Sequence, residues 1–185
     1  MKTLLLVVAC LTLSGAGKTF HTKEEALVVA YGKAEIARTP HYWSKAQRKE
    51  VASLAGVKKV SGTHAEYQPK SKSGKIIAGR SVWFDTRIVR SKPQTIMMIV
   101  DAKQRIEKIV VCNFSEPLDY KPVDRWYAQF EGKVLDGDLK LKKGIHGVSG
   151  ATLTSRATTA AVREMLAAHA VAHPIPKKQK EKNPK

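Results

Sequence analysis

The stretch GVSGATLTS, residues 147–155, holds two glycines and four hydroxyl side chains in nine residues. An Ala-rich run with helical spacing follows it, from Thr154 to about Ala172, and Pro174 ends that run. The combination predicts a turn of small residues that opens a long helix. Backbone N–H groups, the helix dipole and hydroxyl groups converge at such a point, so an anion such as a phosphate can bind there.

The four hydroxyl side chains of this stretch have two interpretations, and their spacing alone leaves both open. Hydroxyl residues ahead of an Ala-rich helix commonly cap its first N–H groups, which is a purely structural role. Alternatively, the small residues leave the backbone open to a flat or bulky ligand, and the hydroxyls hold the phosphate of that ligand. The small residues are Gly147, Gly150 and Ala151, and the hydroxyls are those of Ser149, Thr152, Thr154 and Ser155.

Upstream of this stretch, residues 57–115 have the pattern of β-structure. A weak strand is indicated at 57–60, and the alternation over 76–89 indicates one long strand or a hairpin. Residues 95–114 consist of two apolar runs around a polar turn, which predicts a hairpin with a largely buried pairing. Cys112 is in phase with the apolar residues of the second run, which favours a buried structural cysteine over a reactive thiol.

Helical patterns lie on both sides of this β-region. After a loop with two prolines at 115–122, the aromatic-rich residues 123–130 predict a short helix. Near the N-terminus, Thr22 begins a capping box, and apolar residues continue at helical spacing to Ala37. We expect Pro40 to stop this first helix, because the residue before a proline disfavours the helical conformation.

A second N-terminal helix is predicted from Ser44 to Leu54 or Ala55, ended by Gly56. Together the patterns predict an α+β fold, in which an antiparallel sheet is packed by helices, with an N-terminal helical pair and a long C-terminal Ala-rich helix. The predicted organisation is a leader at 1–16, a helical region at 17–74, a main domain at 75–172 and a disordered basic tail at 173–185.

The first residues have the pattern of an export signal. A short apolar run spans residues 4–13, and small residues before Ala16 fit cleavage after that position. The alternative is a lipoprotein signal with Cys10 as the lipidated residue. A phosphate-loop interpretation of the same region fails, because Thr12 occupies the position where that loop needs its first glycine.

The composition is strongly basic, with 33 Lys and Arg against 16 Asp and Glu and a formal net charge of +17. Such a charge attracts polyanions, anionic membrane surfaces or acidic partners without choosing among them. The chain has no helix-turn-helix, RNP-type or zinc pattern, and an export signal argues against a nucleic-acid partner. Neither Cys10 nor Cys112 lies in a CxxC arrangement, so no metal-binding or haem motif is indicated.

The motif SGATLTS with its Ala-rich helix resembles the acceptor motif of the FMN-binding domain found in the flavoprotein subunits of Rnf-type complexes and of the sodium-pumping quinone reductase. Exported single-domain relatives carry the same domain. Three further segments resemble the family and occur in its order: the strand pair IMMIVDAKQRIEKIVV, the loop SEPLDY and the helix end FEGK. The resemblance covers roughly residues 75–170 and is weaker before them.

The resemblance implies that FMN is the cofactor and that a flavin transferase attaches it as a phosphoester to the threonine that closes S-G-A-T, here Thr152. The loop from Glu116 to Tyr120 corresponds to the family segment near the flavin ring. Tyr120 and Trp126 each have two interpretations, as an aromatic residue that shields the ring or as a plain core or surface aromatic residue. A cation such as Arg156 or Lys133 would raise the reduction potential of the flavin. The predicted cofactor-binding residues are Thr152, Ser149, Gly150, Ala151, Leu153, Thr154, Glu116 and Tyr120.

One position departs from the family pattern. The acceptor motif usually opens with an aspartate three residues before its serine, and His146 stands there in this chain.

No nucleophile–base pair or paired carboxylates stand out, so an electron carrier is expected and not an enzyme with substrate chemistry of its own. We expect an exported, periplasmic or membrane-associated protein whose partners are a flavin transferase, redox proteins and an anionic membrane surface. The alternative is a non-covalent or flavin-free exported adaptor that docks through its basic surface.

Overall fold

The computed structural model describes residues 17–175, so the predicted cleavage after Ala16, the lipidation at Cys10 and most of the basic tail lie outside the described residues. The fold is a six-stranded antiparallel sheet with helices, in the strand order β1-β6-β5-β4-β3-β2. The strands are β1 Lys18–Thr19, β2 Ile36–Tyr42, β3 Thr63–Pro69, β4 Ser81–Ile88, β5 Pro93–Val100 and β6 Ile106–Phe114. The helices are α1 Lys23–Tyr31, α2 Lys45–Ala55, α3 Asp124–Tyr127 and α4 Thr152–Ala172, with 3-10 turns at Leu118–Tyr120 and Ala128–Phe130.

Each face of the sheet has its own core. The larger core lies between the sheet, α2, α3 and α4, and includes Trp83, Met98 and Met165. The smaller core lies under α1 on the opposite face and includes Tyr67 and Cys112. The α+β class and the long C-terminal helix are therefore confirmed. Among the helices within residues 17–175, none combines the length and the apolar character that crossing a bilayer requires.

The C-terminal half of the sheet follows the sequence patterns closely. The hairpin predicted over residues 95–114 is formed by β5 and β6, which pair in antiparallel register around the turn after Val100. Cys112 is buried within the smaller core, as its phase predicted, and burial raises the pKa of its thiol to about 11. A thiol with so high a pKa remains protonated at neutral pH, which is the inert state of a structural cysteine.

The predicted N-terminal helical pair is not confirmed, because strand β2 separates the two helices. Helix α1 ends at Tyr31, where Gly32 adopts a φ of 63° and closes the helix six residues earlier than the apolar spacing indicated. Pro40 lies inside β2 and is not a helix stop. Since β2 is the edge strand of the sheet, the missing N–H of this proline need not leave a ladder bond unmade. The weak strand expected at 57–60 is absent, and the next strand begins at Thr63.

Candidate functional site

The N-terminal end of α4 opens onto a cleft of about 190 Å³, which we call the Thr152 cleft. It lies between the β4–β5 turn, the loop that follows β6, and the first turn of α4. Seven of the eight predicted cofactor-binding residues line it, although they come from two segments that are thirty residues apart. Ser149 is the exception: it is exposed and does not line the cleft. The lining residues are Val89, Arg90, Glu116, Tyr120, Gly150, Ala151, Thr152, Leu153 and Thr154.

Glu116 fixes the β4–β5 turn against the loop that follows β6. Its buried Oε1 accepts hydrogen bonds from the backbone N–H groups of Arg90, Ser91 and Lys92, at 3.2, 2.5 and 2.7 Å. These bonds hold the pKa of the Glu116 carboxyl below its ordinary value, and the bond from the N–H of Ser91 has the largest effect. Glu116 is therefore a positioning residue for one wall of the Thr152 cleft, and its Oε1 is fully engaged within the protein.

Tyr120 connects the other two walls of the Thr152 cleft. Its backbone carbonyl accepts a hydrogen bond of 2.6 Å from the hydroxyl of Thr154, which ties the 3-10 turn to the start of α4. Its ring lies beneath the guanidinium of Arg90, with 5.7 Å between the guanidinium carbon and the ring centroid. The Thr154 hydroxyl thus has a structural partner, and a cation lies at the rim of the cleft.

The start of α4 does not follow the simple capping interpretation. Ala151 occupies the N-cap position, and no side chain caps the helix there. The hydroxyl of Ser155 donates to the carbonyl of Ala151 at 3.0 Å, so it points back along the helix. Because the first bond of the helix joins the N–H of Ser155 to Ala151, the three preceding N–H groups have no partner in the helix ladder.

Thr152 is the exposed hydroxyl among the three at the start of α4. It occupies the first helical position, and within residues 17–175 its hydroxyl forms no hydrogen bond, whereas Thr154 and Ser155 are buried and bonded. Gly150 allows this arrangement, because its φ of 81° lies in the left-handed region where a side chain is strained. The geometry therefore presents one exposed hydroxyl, without a hydrogen bond within the described residues, at the positive end of a 21-residue helix.

The loop that carries His146 is held by the aromatic helix. The indole N–H of Trp126 donates to the carbonyl of His146 at 2.7 Å, and the side-chain oxygen of Gln129 accepts from the N–H of His146 at 2.9 Å. Trp126 itself is buried and packs edge-on against Tyr127 and Phe130. Of the two interpretations of Trp126, the structure therefore supports the core aromatic: the side chain lies in the core and anchors the backbone of the loop, and it does not line the Thr152 cleft. The His146 side chain is exposed.

The cation at the Thr152 cleft is not one that the sequence indicated. Neither Arg156 nor Lys133 lines the cleft: Arg156 is exposed one turn into α4, and the Lys133 carbonyl bonds the start of β6. The lining cation is Arg90, in the turn after β4. No sequence pattern marked it, because its place beside α4 depends on the bonds that hold the β4–β5 turn to Glu116, twenty-six residues later.

A helix N-terminus that carries an exposed hydroxyl, a turn of small residues, an aromatic ring and a cation together form a site that suits a phosphate-bearing aromatic ligand such as a flavin nucleotide. The family comparison agrees, since residues 91–167 match the FMN-binding domain family. The chain carries an FMN-binding domain, and its cofactor is FMN. No curated protein and no solved structure gave a significant match.

The residues of the Thr152 cleft fit FMN. The unpaired N–H groups at the start of α4 suit its phosphate, and Gly150 and Ala151 leave the backbone uncovered for a bulky group. The volume of about 190 Å³ is below the roughly 300–1,000 Å³ of pockets that bury most of a drug-sized ligand. A cleft of this volume would enclose only part of a molecule as large as FMN.

We expect Glu116→Gln to weaken the fold at neutral pH and to lose this effect in acid. The amide keeps one acceptor oxygen but not the charge that strengthens three N–H bonds, so the free energy of unfolding should fall by about 1–2 kcal/mol at pH 7. Since the folded pKa is lowered from the ordinary 4.5, the contribution of the carboxylate is present above pH 4.5 and disappears as the pH falls through the folded pKa. Urea unfolding across pH 7 to 3 measures the difference.

The control for this prediction is Glu50→Gln, which removes an exposed carboxylate from α2. It should leave the free energy of unfolding within about 0.5 kcal/mol of the wild type at each pH. A Glu116→Gln penalty that is the same at pH 3 as at pH 7 would show that the charge of Glu116 does not hold the β4–β5 turn.

Proposed function

We propose that this protein is an exported electron carrier in which FMN is attached by a phosphoester to Thr152. The observation that carries the proposal is the exposed, unbonded hydroxyl of Thr152 at the positive end of α4, inside the cleft of the FMN-binding domain. Thr154 lies in the same cleft, but its hydroxyl is bonded to Tyr120. Thr152 is therefore the acceptor that the geometry supports best.

The residues of the Thr152 cleft have separate roles in this proposal. FMN supplies the reversible electron transfer when it is bound. The N–H groups of Thr152, Leu153 and Thr154 stabilise a phosphate through the helix N-terminus. The guanidinium of Arg90 adds positive charge at the rim of the cleft. This charge would stabilise the reduced, more negatively charged form of the flavin over the oxidised form, and so would raise the reduction potential of the flavin.

An electron carrier is favoured over an enzyme by what lines the cleft. Glu116, the acidic residue there, already accepts three backbone hydrogen bonds and is not placed as a general base. A cleft that leaves part of the cofactor exposed allows redox proteins to approach it directly. We infer export from residues 1–16, with a flavin transferase needed for attachment outside the cytoplasm and an anionic membrane surface as a docking site for the basic chain.

His146 lies outside the Thr152 cleft and does not set the shape of that cleft. Its backbone is held on both sides by Trp126 and Gln129, while its side chain is exposed where the family has an aspartate. We propose that the loop conformation is sufficient for attachment. His146→Asp, which restores the family residue without disturbing either backbone bond, should therefore raise the attached fraction by less than about twofold, as measured by flavin absorbance per chain.

The test of the function is the flavin content of the wild-type chain produced with and without a flavin transferase. The proposal expects a fluorescent band in a denaturing gel only when the transferase is present. It also expects the bound flavin in the native protein to be reduced by dithionite and reoxidised by an artificial acceptor. If the flavin is always released on denaturation, covalent attachment is excluded and the non-covalent carrier is supported. If the chain never retains flavin, the flavin-free adaptor is supported.

A further inference from the structure

A cluster of histidines around one buried carboxylate lies at the other end of α4. Glu66 on β3 is 1% exposed, and its two oxygens lie 2.8 and 2.9 Å from Nε2 of His173. Nε2 of His41, on the edge strand β2, lies 3.0 Å from the same carboxylate. His169, one turn before His173, has a ligand atom within 4.8 Å of those of Glu66 and His173.

We propose that Glu66, His169 and His173 form a binding site for a divalent transition-metal ion such as Zn²⁺, with His41 as an available fourth ligand. Two imidazoles and one carboxylate are a donor set that Zn²⁺ takes in proteins. His169 lies in the last turn of α4, and His173 is the C-cap residue that follows the helix, so the end of α4 brings both imidazoles to the carboxylate. The three potential ligand atoms lie within 4.8 Å of one another, so small side-chain shifts bring them to the bond lengths of about 2.0–2.2 Å that Zn²⁺ takes.

The surroundings of the cluster hold its side chains in place. The hydroxyl of Ser81 donates to Oε1 of Glu66 at 2.5 Å, and Gln68 in turn donates to that hydroxyl at 3.3 Å. The ring of His41 stacks on Trp83, with 5.4 Å between the centroids. The carbonyl of His173 accepts a bond of 2.6 Å from the Gln104 side chain. Such outer hydrogen bonds are what orients metal ligands before the ion arrives.

The cluster is also open to solvent on one side. A cleft of about 640 Å³ borders it, lined by both His169 and His173 and by the polar side chains of Gln68, Ser81 and Gln104. The side chain of His173 is 42% exposed, so an ion can enter without unfolding of the core. The site lies about 26 Å from Thr152, since 17 residues of α4 separate Thr152 from His169 at 1.5 Å each.

One contact has to change when His169 binds an ion through Nε2. The indole N–H of Trp83 donates to Nδ1 of His169 at 3.3 Å, and a ring that ligates through Nε2 carries its proton on Nδ1. That proton faces the indole N–H, so the Trp83 contact must loosen. Metal binding should therefore alter the fluorescence of Trp83, which is fully buried beside the cluster.

The experiment is Zn²⁺ titration of the EDTA-treated full chain by isothermal calorimetry. We expect one ion per chain, a rise in Tm of about 5–10 °C at saturating Zn²⁺, and a change in tryptophan emission. His173→Ala alters a half-exposed residue at the end of α4 and should still fold, as circular dichroism will show. It should lower the affinity at least tenfold, and Glu66→Gln should do the same.

The matched control is His21→Ala, which removes a histidine near β1, at the opposite edge of the sheet from β2 and β3. It should leave the Zn²⁺ affinity unchanged, and so should Thr152→Ala, since the cluster does not depend on flavin. Absence of Zn²⁺ binding by the wild type, or equal binding by a folded His173→Ala variant, would overturn the metal site. Neither result would bear on the flavin content.

Discussion

Thr152→Ala is expected to carry no flavin after denaturation, even when it is produced with a flavin transferase. A phosphoester needs an accessible hydroxyl, and Thr152 provides the exposed one at the start of α4. The buried hydroxyls of Thr154 and Ser155 donate to backbone carbonyls and are not positioned to replace it. In-gel fluorescence should therefore fall by at least about a hundredfold, because the loss of the attachment atom is all or none.

Two matched variants make this experiment specific. Thr152→Ser keeps a hydroxyl at the same position and should retain a fluorescent band. Ser149→Ala removes an exposed hydroxyl that lies outside the Thr152 cleft and should be labelled as fully as the wild type. A labelled Thr152→Ala chain, or an unlabelled Ser149→Ala chain, would place the attachment at another residue. The native Thr152→Ala protein should still bind FMN weakly, because the helix N-terminus and Arg90 remain.

The parts of the site that the sequence could predict are those encoded locally. Gly150 to Thr154 are consecutive, so a motif at the start of a helix is enough to place five lining residues together. Glu116 and Tyr120 were predicted through the family resemblance, because nothing in their spacing relates them to α4. Arg90 was missed, since its position depends on the β4–β5 turn and on three N–H bonds to a carboxylate twenty-six residues later.

The fold shows the same division between local and long-range information. The β5–β6 hairpin was predicted because its two strands are adjacent in sequence and both are apolar. Strand β2 was missed, because its residues continue the apolar spacing of α1 and include Pro40. Only the pairing of β2 with β3, along the edge of the finished sheet, decides between helix and strand there. Local propensity is a weak prior, and tertiary pairing overrides it at this edge.

Arg163→Ala is expected to lower the free energy of unfolding by about 3 kcal/mol, which corresponds to a fall in Tm of roughly 6–12 °C. The guanidinium is buried on the face of α4 that packs against the larger core, and it donates hydrogen bonds to four backbone carbonyls. Two of them, of Leu54 and Ala55, are the unpaired carbonyls at the end of α2, and the other two belong to Asp136 and Leu139. Alanine leaves all four without this donor.

Urea unfolding measures this loss, with Arg156→Ala as the control on the exposed face of the same helix. The control should stay within about 0.5 kcal/mol of the wild type. Arg163→Lys should recover only part of the stability, because an ammonium group cannot reproduce the fork of the guanidinium. An Arg163→Ala chain as stable as the control would show that the carbonyls find other donors or water.

The same variant separates stability from cofactor attachment. Arg163 lies about 16 Å along α4 from Thr152, since eleven residues separate them at 1.5 Å each, and none of its bonds reaches the Thr152 cleft. Arg163→Ala should therefore be labelled with FMN as completely as the wild type at a temperature where both are folded. A fall in labelling without loss of the fold would contradict this expectation. It would mean that the change at Arg163 reaches, through the 136–139 segment, the loop of His146, which Trp126 and Gln129 bond through its backbone.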